Sequence, residues 1–371
     1  MKPETKPMIV DAHLHAFPHI GGASGYGDAA THLAIHQRKI EGWWGRMVTS
    51  TLDERYMPKA GEAVDFRVGK FGRYTWRKNG RDCWLQRFPL TLEEIEWSPE
   101  RMVANMDALG IDVGVLQAGY MEINFCRDYF ADCVAKFPDR LISTVAIDYD
   151  IERDEAYRAA ELDKLRHAVA HQGARGVYQG YRKGQPEDDP RFDPFWRIFG
   201  ELDIPHILQT GFEPAPRYLD SLKRLERVAR RFPETKLIIG HLGGNVRHPS
   251  HPGYTQTPDE LMPLLSLPNV YFEVGYVLAY ENHEVWGRDY EYPYPRHQEL
   301  IRRLYDRIGG DRLIWGSDMP NNERSCTYLQ CLDLVRLHFD FMSAAEKQRV
   351  LGDTATALFR IPARRAMGEA A

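Results

Sequence analysis

Near one end of the sequence stands Asp11-Ala-His13-Leu-His15, two histidines one residue apart that close the apolar run begun by Met8-Ile-Val. Residues two apart on an extended chain point to the same side, so both imidazoles can converge on one metal ion. A second candidate is His241 in Ile239-Gly-His-Leu-Gly-Gly244, where a histidine followed by two glycines can face a ligand with open backbone beside it. The third is Asp318 in Trp315-Gly-Ser-Asp-Met-Pro320, placed to bind a metal and to exchange a proton with substrate or water. Each has a plainer reading when taken singly. An HxH arises by chance, His241 can be a hydrogen-bonded core histidine, and Asp318 can cap a helix. Their common position, each directly after a strand-like run, argues for a shared site.

Eight such runs punctuate the chain: Met8–Ala12, Ile111–Gln117, Leu141–Ile147, Ala174–Tyr178, Pro205–Gln209, Lys236–Gly240, Val270–Val274 and Arg312–Gly316. Between them lie helical patterns over Pro99–Leu109, Asp154–Ala170, Tyr218–Phe232, His297–Ile308 and Thr327–Phe339. The first opens on Ser98-Pro99-Glu100, a Ser N-cap with Pro at the first helical position. Eight alternating βα units imply a closed (β/α)8 TIM barrel, an α/β fold. No GxGxxG follows an early strand, which disfavours a doubly wound sheet. In a barrel the ends of strands 1, 6 and 8, which carry the three candidates, meet around one mouth.

One stretch breaks the rhythm. From 16 to 98 no βα unit is legible, so the expected architecture is a single barrel domain over 1–371 with a long insertion after strand 1. Asn79-Gly80 within it is a hairpin turn signal, pointing to a small β-ribbon. Residues 38–87 carry 12 Lys and Arg against 6 Asp and Glu. The insertion is expected to be a solvated lid or oligomer contact, or else to roof the site with aromatic and arginine side chains.

The composition bounds the rest. A net charge of −5 provides no basic field for nucleic acid or anionic membrane, and no apolar run is long enough to span a bilayer. Five scattered cysteines without a CxxC argue against a disulfide scaffold or thiolate zinc site. With no signal-peptide pattern in its first residues, the chain is expected to be cytoplasmic, acting on a small molecule as a homo-oligomer.

These motifs together resemble the metal-dependent amidohydrolase superfamily, and within it the amidohydrolase-related group that includes aminocarboxymuconate-semialdehyde decarboxylase and the aromatic-acid decarboxylases. Met106-Asp-Ala-Leu-Gly-Ile-Asp112, Arg230-Arg-Phe-Pro-Glu-Thr-Lys236 and the tail Glu346–Phe359 are similar to it too. The resemblance implies that His13 and His15 are metal ligands, that Asp318 is both ligand and acid/base, and that His241 orients substrate or the attacking water. It also implies a histidine ligand after strand 5, where this chain has Gln209. An amide oxygen can ligate a metal but is neutral and less basic than imidazole, so one divalent ion is expected, Zn²⁺ first and Mn²⁺ second. His206, three positions earlier, should face the surrounding helices. Where relatives have Tyr-Pro-His after the aspartate, this chain has Met319-Pro320-Asn321, so Asn321 replaces a polar contact.

Glu273 on strand 7, Tyr178 at the end of strand 4 and Glu122 after strand 2 are softer candidates to face the mouth and touch substrate. Glu273 is the best of these, because a glutamate in a barrel strand is costly to bury unless paired. His248, His251, His283 and His297 are expected in loops, mostly at the surface. Three functions fit. The first is a metal-dependent hydrolase in which Asp318 accepts a proton from water attacking an ester, lactone or amide. The second is a metal-dependent decarboxylase of an aromatic or unsaturated acid. The third is a metal-free binding protein.

Overall fold

The structure, a computed structural model, describes residues 7–44, 47–178, 184–209, 215–241, 259–275 and 291–362. His248, His251, His283 and the Leu242-Gly-Gly244 part of the His241 motif lie outside them.

The apolar runs form parallel strands where expected. They are β1 (Val10–Leu14), β5 (Val113–Leu116), β6 (Leu141–Val145), β7 (Ala174–Tyr178), β8 (His206–Leu208), β9 (Leu237–Ile239), β10 (Val270–Val274) and β11 (Leu313–Trp315). They pair in that order as one eight-stranded sheet. The circle closes because the backbone after β11 returns to β1: Asp318 N donates to His13 O at 2.8 Å and His15 N to Met319 O at 2.9 Å. Every residue of β1, β5, β6, β8, β9 and β11 is buried, as a parallel sheet covered on both faces requires. The protein is a (β/α)8 TIM barrel. No helix among the described residues is long and apolar enough to cross a membrane.

The insertion folds into two pieces. Helix α1 (Ala29–Trp43) follows an Asp28 N-cap. Strands β2 (Arg67–Val68), β3 (Arg73–Lys78) and β4 (Arg81–Gln86) make a three-stranded antiparallel sheet. The Asn79-Gly80 turn joins β3 to β4 with both residues at positive φ, 50° and 74°, the geometry of a two-residue hairpin loop. Phe17 bridges Trp97 where the insertion leaves and rejoins the barrel. The helix α2 (Pro99–Leu109) then starts on Ser98, whose side chain accepts from Arg101 N.

His206 faces outward, as expected, into helix α5 (Asp193–Leu202). Its ring stacks on Phe199 at 4.9 Å and meets the Phe195 and Trp196 rings. Burial pushes this imidazole down to about 3. It is therefore neutral in the folded protein across the range where an unfolded histidine, with its ordinary value near 6.5, takes up a proton. Stability is unaffected above pH 6.5 and is lost as pH falls from there toward 3, by about 1.4 kcal/mol per pH unit. Urea unfolding at pH 7, 6 and 5 should show a shallower acid loss in His206→Leu than in the wild type by about that slope. Parallel slopes would mean that His206 does not carry the linkage.

His297 departs from expectation. It lies in the first turn of helix α8 (Pro295–Ile308) and is 2% exposed. That helix buries His297 on the same face as Leu300, Ile301 and Leu304, so the side chain is packed into the core. Glu122 caps helix α3 (Ile123–Lys136), its carboxylate accepting from Asn124 N and Phe125 N.

Candidate metal centre

His13, His15 and Asp318 come together at the carboxyl end of the barrel, all three buried. His13 Nε2 lies 3.2 Å from His15 Nε2, and Asp318 Oδ1 lies 2.9 Å from the second and 3.6 Å from the first. The partners on the far side of each ring assign the tautomers. His13 Nδ1 lies 2.9 Å from Glu273 Oε2, and His15 Nδ1 lies 2.9 Å from the Gln117 carbonyl oxygen. Both partners can only accept, so both Nδ1 atoms carry the hydrogen. In the neutral rings, two Nε2 lone pairs and a carboxylate oxygen then face one another with nothing to donate. A cation satisfies all three.

The spacing fits as well. Ligands about 2.0–2.1 Å from a zinc ion stand about 3.3 Å apart at tetrahedral angles and about 2.9 Å apart at right angles. The residues present therefore fit the divalent ion.

The electrostatics agree. Burial alone would lower the His13 imidazole, but the Glu273 carboxylate, with Asp318 and Asp11, pushes it up to about 9. Burial alone would raise the Asp318 carboxyl, yet His15, His13 and His241 hold it well below the usual carboxylate range. The carboxylates around the rings thus favour one positive charge among them, which a proton on His13 Nε2 supplies in the absence of metal and a cation would supply in its place. His241 sits with its ring centroid 4.9 Å from that of His13, and burial together with the His13 charge pushes it down to about 4. It stands beside the cluster as a neutral imidazole.

Backbone shape contributes. His241 and Asp318 have positive φ, 50° and 57°, a conformation that costs non-glycine residues and collects at functional sites. Asp11 fixes the frame: its Oδ1 accepts from His13 N and Ser317 N, and its Oδ2 accepts from Tyr328 Oη at 2.7 Å. It thereby ties the first strand to the segment carrying Asp318. Burial pushes its carboxyl up to about 6.

The softer candidates divide. Tyr178, 1% exposed, lies with its ring 5.5 Å from His13 and 6.3 Å from His15. Glu273 is the hydrogen-bond partner of His13, with Oε1 also 3.4 Å from His241 N. Gln209 is half-buried directly after β8, at the same end of the barrel. Asn321 is buried against Asp318, its Nδ2 donating to Oδ1 at 3.0 Å.

A carboxylate behind a liganding histidine orients the ring and raises its basicity, and losing such a partner costs about 10–100-fold in metal affinity. Glu273→Gln should lower Zn²⁺ affinity by that factor in a chelator competition while the fold persists. Unchanged affinity would remove Glu273 from the centre.

Two residues of the surroundings had no sequence signal beyond a glycine before a tyrosine and a surplus of arginines. Tyr120, in the loop after β5, lies with its ring 5.6 Å from His15 and its hydroxyl 2.5 Å from Asn321 Oδ1. Arg87, from the end of the insertion, donates to that hydroxyl at 3.1 Å.

Comparison with known proteins follows this geometry. Residues 10–361 match the family described as amidohydrolase. No curated protein matches the sequence. Among solved structures, an amidohydrolase from Burkholderia multivorans with bound HEPES superposes with a TM-score of 0.60 at 14% identity, over 96% of this chain and 100% of that one. A second crystal form with bound zinc gives 0.54 at 18%, over 72% and 89%. A protein from Acinetobacter baumannii described as a probable 2-pyrone-4,6-dicarboxylic acid hydrolase gives 0.54 at 16%, over 95% and 99%. A dihydroxybenzoic acid decarboxylase from a Polaromonas species, with bound manganese and 2-nitroresorcinol, gives 0.50 at 16%, over 71% and 86%. At these identities the likeness speaks for the barrel. The match over nearly the whole length speaks for more: this chain belongs to the amidohydrolase family.

Proposed function

We propose that the protein is a metal-dependent hydrolase that opens an ester, lactone or amide of a small aromatic or carboxylated substrate. The observation that carries this reading is the setting of Asp318. Its Oδ1 faces His13 and His15 and accepts from Asn321, whereas no donor among the described residues reaches Oδ2. A carboxylate anchored through one oxygen and stabilised there as an anion has its other oxygen open to a proton. That is the state of a general base.

His13, His15 and Asp318 would hold the ion, with Gln209 or water completing the shell. The ion would supply a water of lowered pKa and a Lewis acid for the carbonyl. Asp318 accepts the proton at Oδ2 as the water attacks and returns it to the leaving group. His241, neutral beside the cluster, offers one ring N–H to the carbonyl oxygen as negative charge develops there. The Tyr178 ring forms one wall for substrate. Asn321 keeps the base in place. Zinc and manganese in structurally similar proteins support a divalent ion here.

The insertion's Phe17 and Phe88, packed on Tyr120 beside His15, favour a second reading, decarboxylation of an aromatic acid, in which Asp318 would have to give a proton to the ring carbon. Metal analysis of protein purified without chelators, with zinc and with manganese, is the first test, followed by product analysis. One ion per chain and acid release from aryl esters or lactones supports the hydrolase. CO₂ from aromatic hydroxy acids overturns it in favour of the lyase. No bound metal under either supplement overturns both.

A further inference from the structure

We infer that the inserted segment sets the orientation of the metal-facing carboxylate through a directed chain of donors, Arg87 to Tyr120 to Asn321 to Asp318, and that Tyr120 is its central positioning residue. The inference rests on the reading of Asp318 as a metal ligand.

The chemistry fixes the direction. A guanidinium only donates, so the Tyr120 oxygen accepts from Arg87 Nη2 and the phenol must send its own hydrogen onward. It goes to Asn321 Oδ1 at 2.5 Å. With its oxygen so engaged, the Asn321 amide presents Nδ2 to the carboxylate at 3.0 Å. The chain runs from a cation to an anion, and each bond polarises the next in the same sense. Arg87 is 9% exposed and lies over the rings of Trp43, Phe88 and Tyr120 at 4.6, 4.9 and 5.4 Å. It is packed among aromatic faces, which fix it as the anchor of the chain.

The insertion also holds the Tyr120 backbone. Its φ is 65°, the left-handed region that a large side chain avoids. Such a conformation persists when the surroundings over-determine it. The His32 ring of α1 packs against this backbone, with Nε2 2.9 Å from the Tyr120 carbonyl and Nδ1 2.8 Å from the Gly22 carbonyl, so that in one tautomer its N–H binds Tyr120 directly. The Phe17 and Phe88 rings close on the phenol at 5.0 and 5.2 Å. Hydroxyl, ring and carbonyl of one barrel-loop residue are thus held by three parts of the 16–98 segment. A solvated lid would need none of this.

The experiment is Co²⁺ loading of the full-length wild type, Tyr120→Phe, Arg87→Lys and Arg87→Met, read by visible absorption and by competition with a chelator. Tyr120→Phe removes one oxygen and should keep one Co²⁺ per chain with an altered visible spectrum and about 10-fold weaker binding. Arg87→Met should weaken binding in the same direction, Arg87→Lys should restore part of it, and Arg87→Met combined with Tyr120→Phe should be no worse than Tyr120→Phe alone. Equal spectra and affinities in wild type and Tyr120→Phe would overturn the inference while leaving the metal site intact. If Arg87→Met does not fold, Tyr120→Phe against wild type decides alone. If the wild type itself takes up no Co²⁺, the functional reading fails and this inference with it.

Discussion

Asp318→Asn is expected to give a folded protein that has lost its metal and its chemistry. The amide has nearly the shape of the carboxylate, and its nitrogen can donate into the two Nε2 lone pairs that now face Asp318 Oδ1 at 2.9 and 3.6 Å. The substitution therefore supplies a hydrogen to the rings in place of the cation, but it sets that nitrogen against the Asn321 Nδ2 that now donates to Oδ1, so about 1–3 kcal/mol of stability should be lost while the fold is kept. What disappears is the negative charge. With it go one ligand and the oxygen that takes the proton from water. General acid–base catalysis contributes about 10²–10⁴-fold, and the displaced ion removes the activated water in addition. Turnover should fall by about 10³-fold or more, with less than a tenth of the wild-type metal after gel filtration. Elemental analysis and a turnover assay on the same sample check both. Full metal with turnover within tenfold of wild type would show that Asp318 is neither ligand nor base.

That prediction was open to the sequence because its parts are local. Each ligand or catalytic candidate closes a strand whose apolar, β-branched run is legible by itself, and the barrel topology brings strand ends together whatever lies between. The surroundings are not local. Glu273 belongs to His13 across 260 positions of sequence, so its spacing could not distinguish this bond from an arginine pair. Helix α1 hid for another reason. Its buried face consists of His32, His36, Gln37 and Ile40, polar residues that find partners in Tyr74, the Gly22 and Tyr120 carbonyls and one another. A helix buried through hydrogen bonds has no apolar stripe to read. Arg87 was one of 12 basic residues in its stretch, and only the fold of the insertion separates it from those that meet solvent. The same limit applied to His297, whose burial follows from where its helix begins.

Gly316→Ala tests whether the shape of the site, apart from its charges, is what orients the ligands. Gly316 follows β11 with an ordinary backbone, so alanine meets no conformational obstacle there. The obstacle is space. A Cβ at this position would lie 2.8 Å from the Cβ of His13 and 3.1 Å from both Cγ and Cδ of Glu273. These are the two side chains whose 2.9 Å bond holds His13 with Nε2 toward the ion. Both are essentially fully buried, so neither can swing into solvent to make room. One surplus methyl in a packed interior costs about 1–3 kcal/mol. Because the strain falls on the bond that sets the His13 tautomer, metal affinity should drop by about 10–100-fold, as far as removing the Glu273 charge would lower it. The control is Gly42→Ala in α1, where a Cβ meets nothing within 4 Å and alanine should stabilise by up to about 1 kcal/mol. Urea midpoints and chelator competition measure the two effects separately. If Gly316→Ala binds Zn²⁺ as tightly as the wild type, the Glu273 bond is not what aims His13, and the lone-pair argument for the centre would have to rest on His15 and Asp318 alone.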